Sequence, residues 1–228
     1  LPICFSLLFS GVCMMLFMNG FNSQILSQNL FSGADSFSMM AVPFFILAGE
    51  FMNRGGITKR IVNAANAMVG HVRGGLGYVS ILAILLFASM VGSAVASTAA
   101  LGAILIPMMV RAGYNRDKST GLIAAGNILS PIMPPSVPMI IFGVQASVSV
   151  TSLFMAGIAP AVYLSASLCI LWFFVARKDE LPTAPRQSRK QVVKSLTDGF
   201  WALLLPVFIL VGLRSGKFTP TEAGVITA

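Results

Sequence analysis

The chain has 228 residues, of which 56% are hydrophobic and only 10% charged, with 15 Lys and Arg against 7 Asp and Glu, giving a formal charge of +8. Such a composition excludes an ordinary soluble domain and marks an integral membrane protein whose basic residues gather in cytoplasmic loops. Nucleic-acid binding is not indicated, and three cysteines in apolar runs (Cys4, Cys13, Cys169) form neither a disulfide framework nor a metal-ligand spacing.

Residues 1 to about 19 read as a first span, opening inside an apolar run without an initiator Met, so the reading is of a truncated transmembrane helix. The polar stretch Asn22 to Ser36 is expected to be an outward loop. A second span runs from about Phe37 to Phe51, and Arg54, Lys59 and Arg60 follow as a cytoplasmic exit, with Glu50 placed at i,i+4 to pair with Arg54. From Ile57 to Val72, Ile57, Ile61, Ala64, Ala65, Met68 and Val72 recur at helical spacing, which predicts an amphipathic interfacial helix bracketed by glycine pairs.

The uncharged run from Gly74 to Val110 has basic residues at both ends (Arg73; Arg111, Arg116, Lys118). One span cannot put both ends on one side, so a hairpin is expected. Its centre, GSAVASTAALG from Gly92, suits either close helix packing or a turn that offers N–H and C=O groups to ions or carboxylates.

Residues 119–176 carry no charge, a run long enough for two crossings of a ~30 Å hydrocarbon core. Within it lies GNILSPIMPPS, Gly126 to Ser136. Pro131, Pro134 and Pro135 each lack an N–H and break the helix, and backbone of that kind persists in a bilayer only where protein or a hydrated cavity satisfies it. Broken helices near the midplane are common cation and substrate sites in secondary transporters. Asn127 could equally serve an interhelical hydrogen bond.

Ser147 to Ser152 reads as an outward turn and Leu153 to Ala176 as a further crossing. The segment 177–198, with Arg177, Lys178, Arg186, Arg189, Lys190, Lys194, Pro182 and Pro185, reads as a cytoplasmic linker before an apolar helix from about Phe200 to Leu213. Thr219, Pro220 and Glu222 spell a capping box that starts another helix, cut off at Ala228. The domain reading is therefore 1–73 scaffold and arm, 74–148 hairpin plus broken helix, 149–213 further helices, and 214–228 the start of a second unit.

Four segments, VPFFILAGEFMNRGGIT from Val42, GHVRGGLGYVSILAILLFASMVGSAVASTAALG from Gly70, MPPSVPMIIFGV from Met133 and KFTPTEAG from Lys217, together resemble the large permease (M) subunit of the tripartite ATP-independent periplasmic (TRAP) transporters. The resemblance implies an all-α polytopic membrane protein with discontinuous helices, a helical hairpin and inverted repeats, of which only the first is present. It also implies an elevator-type sodium symporter of the bacterial inner membrane. Such a permease takes an organic acid of C4-dicarboxylate or sialic acid type from a periplasmic binding protein and works with a small membrane subunit. By the same analogy Gly92, Ser93, Ser97, Asn127, Pro131 and Pro134 would contribute to a sodium site, and Ser93, Ser97, Ser130 and Ser136 to the substrate site. No cofactor is expected beyond sodium as coupling ion, and the chain is not expected to be an enzyme: no P-loop is present, and an intramembrane serine protease built on Ser93 or Ser97 would lack a base, because His71 sits outside the apolar run. The competing reading is a structural or assembly subunit without its own transport site.

Overall fold

The computed structural model describes residues 3–179, 181 and 189–227. The described residues are helical and contain no strand. Eleven α-helices follow in order: α1 (Ile3–Phe17), α2 (Ser23–Ala34), α3 (Ala41–Arg54), α4 (Ile57–Val69), α5 (Gly75–Val91), α6 (Ala94–Arg111), α7 (Arg116–Gly126), α8 (Val137–Gln145), α9 (Val150–Lys178), α10 (Arg189–Arg214) and α11 (Pro220–Thr227). Helices α6 and α9 are each long and apolar enough to cross a bilayer, and α2 with the Phe37–Arg54 segment would do so together across a bend of 54°.

The first correction concerns Asn22 to Ser36, which is not a loop. Asn22 caps α2, its Oδ1 accepting the N–H groups of Gln24 at 2.9 Å and Ile25 at 3.3 Å. Ser and Gln mixed with Ile25, Leu26, Leu30 and Phe31 form a helix once such a cap is supplied, and no proline intervenes.

The amphipathic segment becomes α4, with its apolar face turned onto α5 and α10. Ile61, Val62, Ala64, Ala65 and Ala67 are buried, whereas Met68 and Val72, expected on the same face, are exposed. The alanines let a neighbour approach closely: Gly199 of α10 passes over Ala64 and the Arg60 carbonyl. The basic linker is also shorter than 177–198, since α9 continues through Lys178 and α10 begins at Arg189; Pro182, Pro185 and Arg186 lie outside the described residues.

The main core joins α4, α5, α6, α7 and α9 through fully buried residues such as Ile61, Ile84, Phe87, Leu101, Leu105 and Ile123. A smaller one gathers Ala41, Phe45, Ile140, Phe154, Ile209 and Leu213 between α3, α8, α9 and α10. Helix α11 lies along α3, where the Thr221 hydroxyl donates to the Phe37 carbonyl at 2.8 Å. The capping box has formed: Thr219 N–H donates to Glu222 Oε2 at 2.7 Å and Glu222 N–H returns to Thr219 Oγ1 at 3.3 Å.

Candidate functional site

Helices α5 and α6 form the expected hairpin. Two features turn the chain at its tip. Gly92 ends α5 in the left-handed region (φ 62°), where only glycine is unstrained, and Ser93 is the extended N-cap of α6, its Oγ accepting the Ala96 N–H at 3.4 Å.

The hairpin's base is fixed to two other elements. The Trp172 indole of α9 donates to the Gly74 carbonyl at 2.9 Å and stacks on Tyr114 with ring centroids 6.2 Å apart. The Tyr114 hydroxyl in turn accepts the Leu76 N–H at 3.4 Å. Burial raises the Tyr114 phenol above its ordinary pKa, only partly offset by the Leu76 hydrogen bond, so the ring stays neutral. Gly77 makes room for the indole: a Cβ there would lie 1.9 Å from Trp172 Nε1.

Opposite the tip is the broken helix. Asn115 caps α7, which runs to Gly126 against Ile84 of α5 and then tightens into a 3-10 turn over Asn127–Leu129. The chain from Ser130 to Ser136 is irregular before α8 resumes at Val137. Within it, the Met133 N–H reaches the Leu129 carbonyl at 2.8 Å and the Ser136 hydroxyl donates to the Pro131 carbonyl at 2.7 Å, which ties the two ends of the proline segment together.

Tip and break meet through backbone. A Cβ on Gly92 would lie 3.0 Å from the Val137 nitrogen and 3.1 Å from Ser136 Cα. Ser97 of the hairpin and Asn127, Ser130 and Ser136 of the break, two elements in contact, are all at most 1% exposed. Ser97 Oγ, Asn127 Oδ1 and Ser130 Oγ are the buried side-chain oxygens without a hydrogen-bond partner among the described residues, while the Asn127 amide donates to the Ile123 carbonyl at 2.8 Å. An unpartnered buried oxygen costs about 1–3 kcal/mol, so three on two facing elements suit a bound cation or water better than packing alone.

Above the junction a groove of about 810 Å³ opens between the tip and α3. The sequence-derived candidates divide between these two places. Gly92, Ser93 and Pro131 line the groove; Ser97, Asn127, Ser130, Pro134 and Ser136 are buried outside its lining. Sequence reasoning missed the opposite wall, Ile46, Gly49, Glu50, Asn53 and Arg54 of α3. The signal was present in their spacing, which places them on one helical face, but from sequence Glu50 reads as a partner of Arg54, or else a proton relay, and not as a groove wall. They are partners: Arg54 Nε donates to Glu50 Oε1 at 2.6 Å.

The family model for the DctM component of the tripartite ATP-independent periplasmic transporters matches residues 1–228. The chain belongs to that family. It is 52% identical over 225 residues to a putative TRAP transporter large permease protein of Haemophilus influenzae, covering 99% of this chain and 53% of the relative. It is 50% identical over 228 residues to the 2,3-diketo-L-gulonate TRAP transporter large permease of Escherichia coli, covering 100% and 54%. The sialic acid TRAP transporter large permease of Vibrio cholerae is 42% identical over 228 residues, with 100% and 53% covered. These relatives are transporter permeases, not enzymes, and the chain spans about half the length of each. In this DctM-type chain the hairpin, the broken helix and the groove between tip and α3 all fall within the matched residues.

Proposed function

We propose that this chain carries the first half of an inner-membrane permease that imports an organic acid in symport with sodium. The observation that carries the reading is three buried side-chain oxygens lacking partners, Ser97 Oγ on the hairpin and Asn127 Oδ1 and Ser130 Oγ on the proline break it contacts. Hydroxyl, amide and carbonyl oxygens are the donors that hard cations take, and half-helix ends with unwound backbone hold coupling ions in transporters. Sodium orders the tip against the break, and the substrate carboxylate binds beside it in the groove. The hairpin with its broken helix moves as part of an elevator-type transport domain. A periplasmic binding protein delivers the acid and a small membrane subunit completes the complex, in keeping with the three-part composition in the family's name. The relatives named for 2,3-diketo-L-gulonate, sialic acid and C4-dicarboxylates all handle acids, which supports a carboxylate as the cargo.

The test is uptake into proteoliposomes by the full-length permease with its small subunit. Labelled succinate, N-acetylneuraminate and 2,3-diketo-L-gulonate are supplied outside with their binding proteins, and a sodium gradient is imposed or omitted. Uptake that needs both the gradient and the binding protein is the expected result. Uptake independent of sodium, or none from correctly inserted complex, would overturn the reading.

A further inference from the structure

The groove above the hairpin tip has a wall that the sodium site does not use. Across from Gly92, Ser93 and Pro131 stand Glu50, Asn53 and Arg54 of α3, and this ion pair supplies the groove's only charged lining residues among the described residues. Its geometry is that of a partner held loosely. Only Nε of Arg54 contacts the carboxylate, at 2.6 Å from Oε1, and the side chains are 79% and 52% exposed. The guanidinium's terminal N–H donors remain available, and they are the atoms that grip a carboxylate in bidentate fashion. An exposed i,i+4 pair contributes little to stability, so stability alone is a weak reason for placing a charged pair on the face that looks into a groove whose other lining residues are uncharged.

Resting on the symport reading above, we propose that Arg54 is a substrate-recognition residue: its guanidinium binds the carboxylate of the transported acid across the groove from Ser93, and Glu50 is the resident counter-ion that the substrate replaces. Glu50 keeps the arginine oriented and occupied between substrates. An incoming carboxylate exchanges one anionic partner for another, and Glu50 stays on the wall as a competitor that favours release. Asn53, one residue earlier on the same face, offers an amide to a hydroxyl or carbonyl of the acid.

The two members of the pair therefore have opposite expected effects, which a structural salt bridge would not produce. The experiment measures equilibrium binding of labelled succinate, N-acetylneuraminate and 2,3-diketo-L-gulonate to the solubilised full-length complex at saturating sodium, in wild type, Arg54→Gln, Arg54→Lys and Glu50→Gln. Arg54→Gln is expected to weaken binding of the transported acid about 10- to 100-fold, the loss expected for a charge-assisted hydrogen-bonded contact. Arg54→Lys, which keeps the charge but not the fork, lies between and guards against a variant that does not fold. Glu50→Gln is expected to tighten binding a few-fold. The sodium concentration giving half-maximal thermal stabilisation stays unchanged in all three. Equal weakening in the Arg54→Gln and Glu50→Gln variants, or no change in either, overturns the inference while leaving sodium-coupled uptake by wild type intact. Absence of both binding and uptake in wild type refutes the symport reading and this inference with it.

Discussion

Replacing Gly92 with alanine tests the junction on which the proposed site depends. At φ 62° a side chain costs about 1–2 kcal/mol by itself. The added Cβ would also lie 3.0 Å from the Val137 nitrogen and 3.1 Å from Ser136 Cα, backbone atoms that cannot rotate away, so tip and break must part by a few tenths of an ångström. Gly113 provides the control. Its φ is 87°, with no atom within 4 Å of an added Cβ, so Gly113→Ala carries the conformational cost without the displacement. Both variants should lower the thermal midpoint of the detergent-solubilised full-length permease in the absence of sodium. Only Gly92→Ala should also reduce the upward shift that a fixed high sodium concentration produces, because binding to the folded state stabilises it by an amount that grows with the logarithm of affinity. An undiminished sodium shift in Gly92→Ala, or an equal reduction in Gly113→Ala, would refute the assignment of a cation to this junction.

Ser97→Ala removes a buried hydroxyl that has no partner, so it should leave sodium-free stability unchanged or raise it by up to about 1–3 kcal/mol while shrinking the sodium-induced shift; lower stability with an unaltered shift would mean that the hydroxyl serves packing. Trp172→Phe leaves the Gly74 carbonyl without its donor and should cost about 1–3 kcal/mol, read as a lower thermal midpoint with sodium affinity retained. Gly77→Ala drives a methyl into the same indole and should destabilise by at least as much, a result that the Trp172→Phe background should soften. The Glu222 carboxyl is held below its usual pKa, first by the Thr219 backbone N–H and then by its hydroxyl, so its contribution to the start of α11 is complete above the ordinary carboxylate range and is lost as pH falls through the lowered value. Glu222→Gln should abolish that acid sensitivity, measured as amide exchange at the start of α11 across pH 3 to 6, a range of about three units around the ordinary carboxylate pKa.

The hairpin and the broken helix were legible because each has a local cause. Gly92 followed by Ser93 is a helix stop followed by a cap, and three prolines in one segment cannot continue a helix whatever surrounds them. Helix α2 was misread because its polar Ser, Gln and Asn residues carry a loop's composition, while the feature that decides, the Asn22 cap, is a single side chain at the boundary. For α4 the period held over Ile61, Ala64 and Ala65, which are buried, whereas Met68 and Val72, the latter beyond the helix end at Val69, are exposed; hydrophobic spacing shows that a face is covered but not whether lipid or protein covers it. The α3 wall of the groove escaped for another reason. Glu50 and Arg54 satisfy each other locally, so nothing in the sequence obliges them to face Ser93 across space.

The hairpin is built like a cantilever. Its root is clamped by the Trp172 hydrogen bond, the Tyr114 stack and the Leu76 contact, whereas its free end rests on the break through backbone proximity at Gly92. A beam held in this way bends at its end. Opening at the root would break the Trp172 hydrogen bond and unstack two aromatic rings, so amide protons near Gly92 and Ser136 should exchange before those near Gly74.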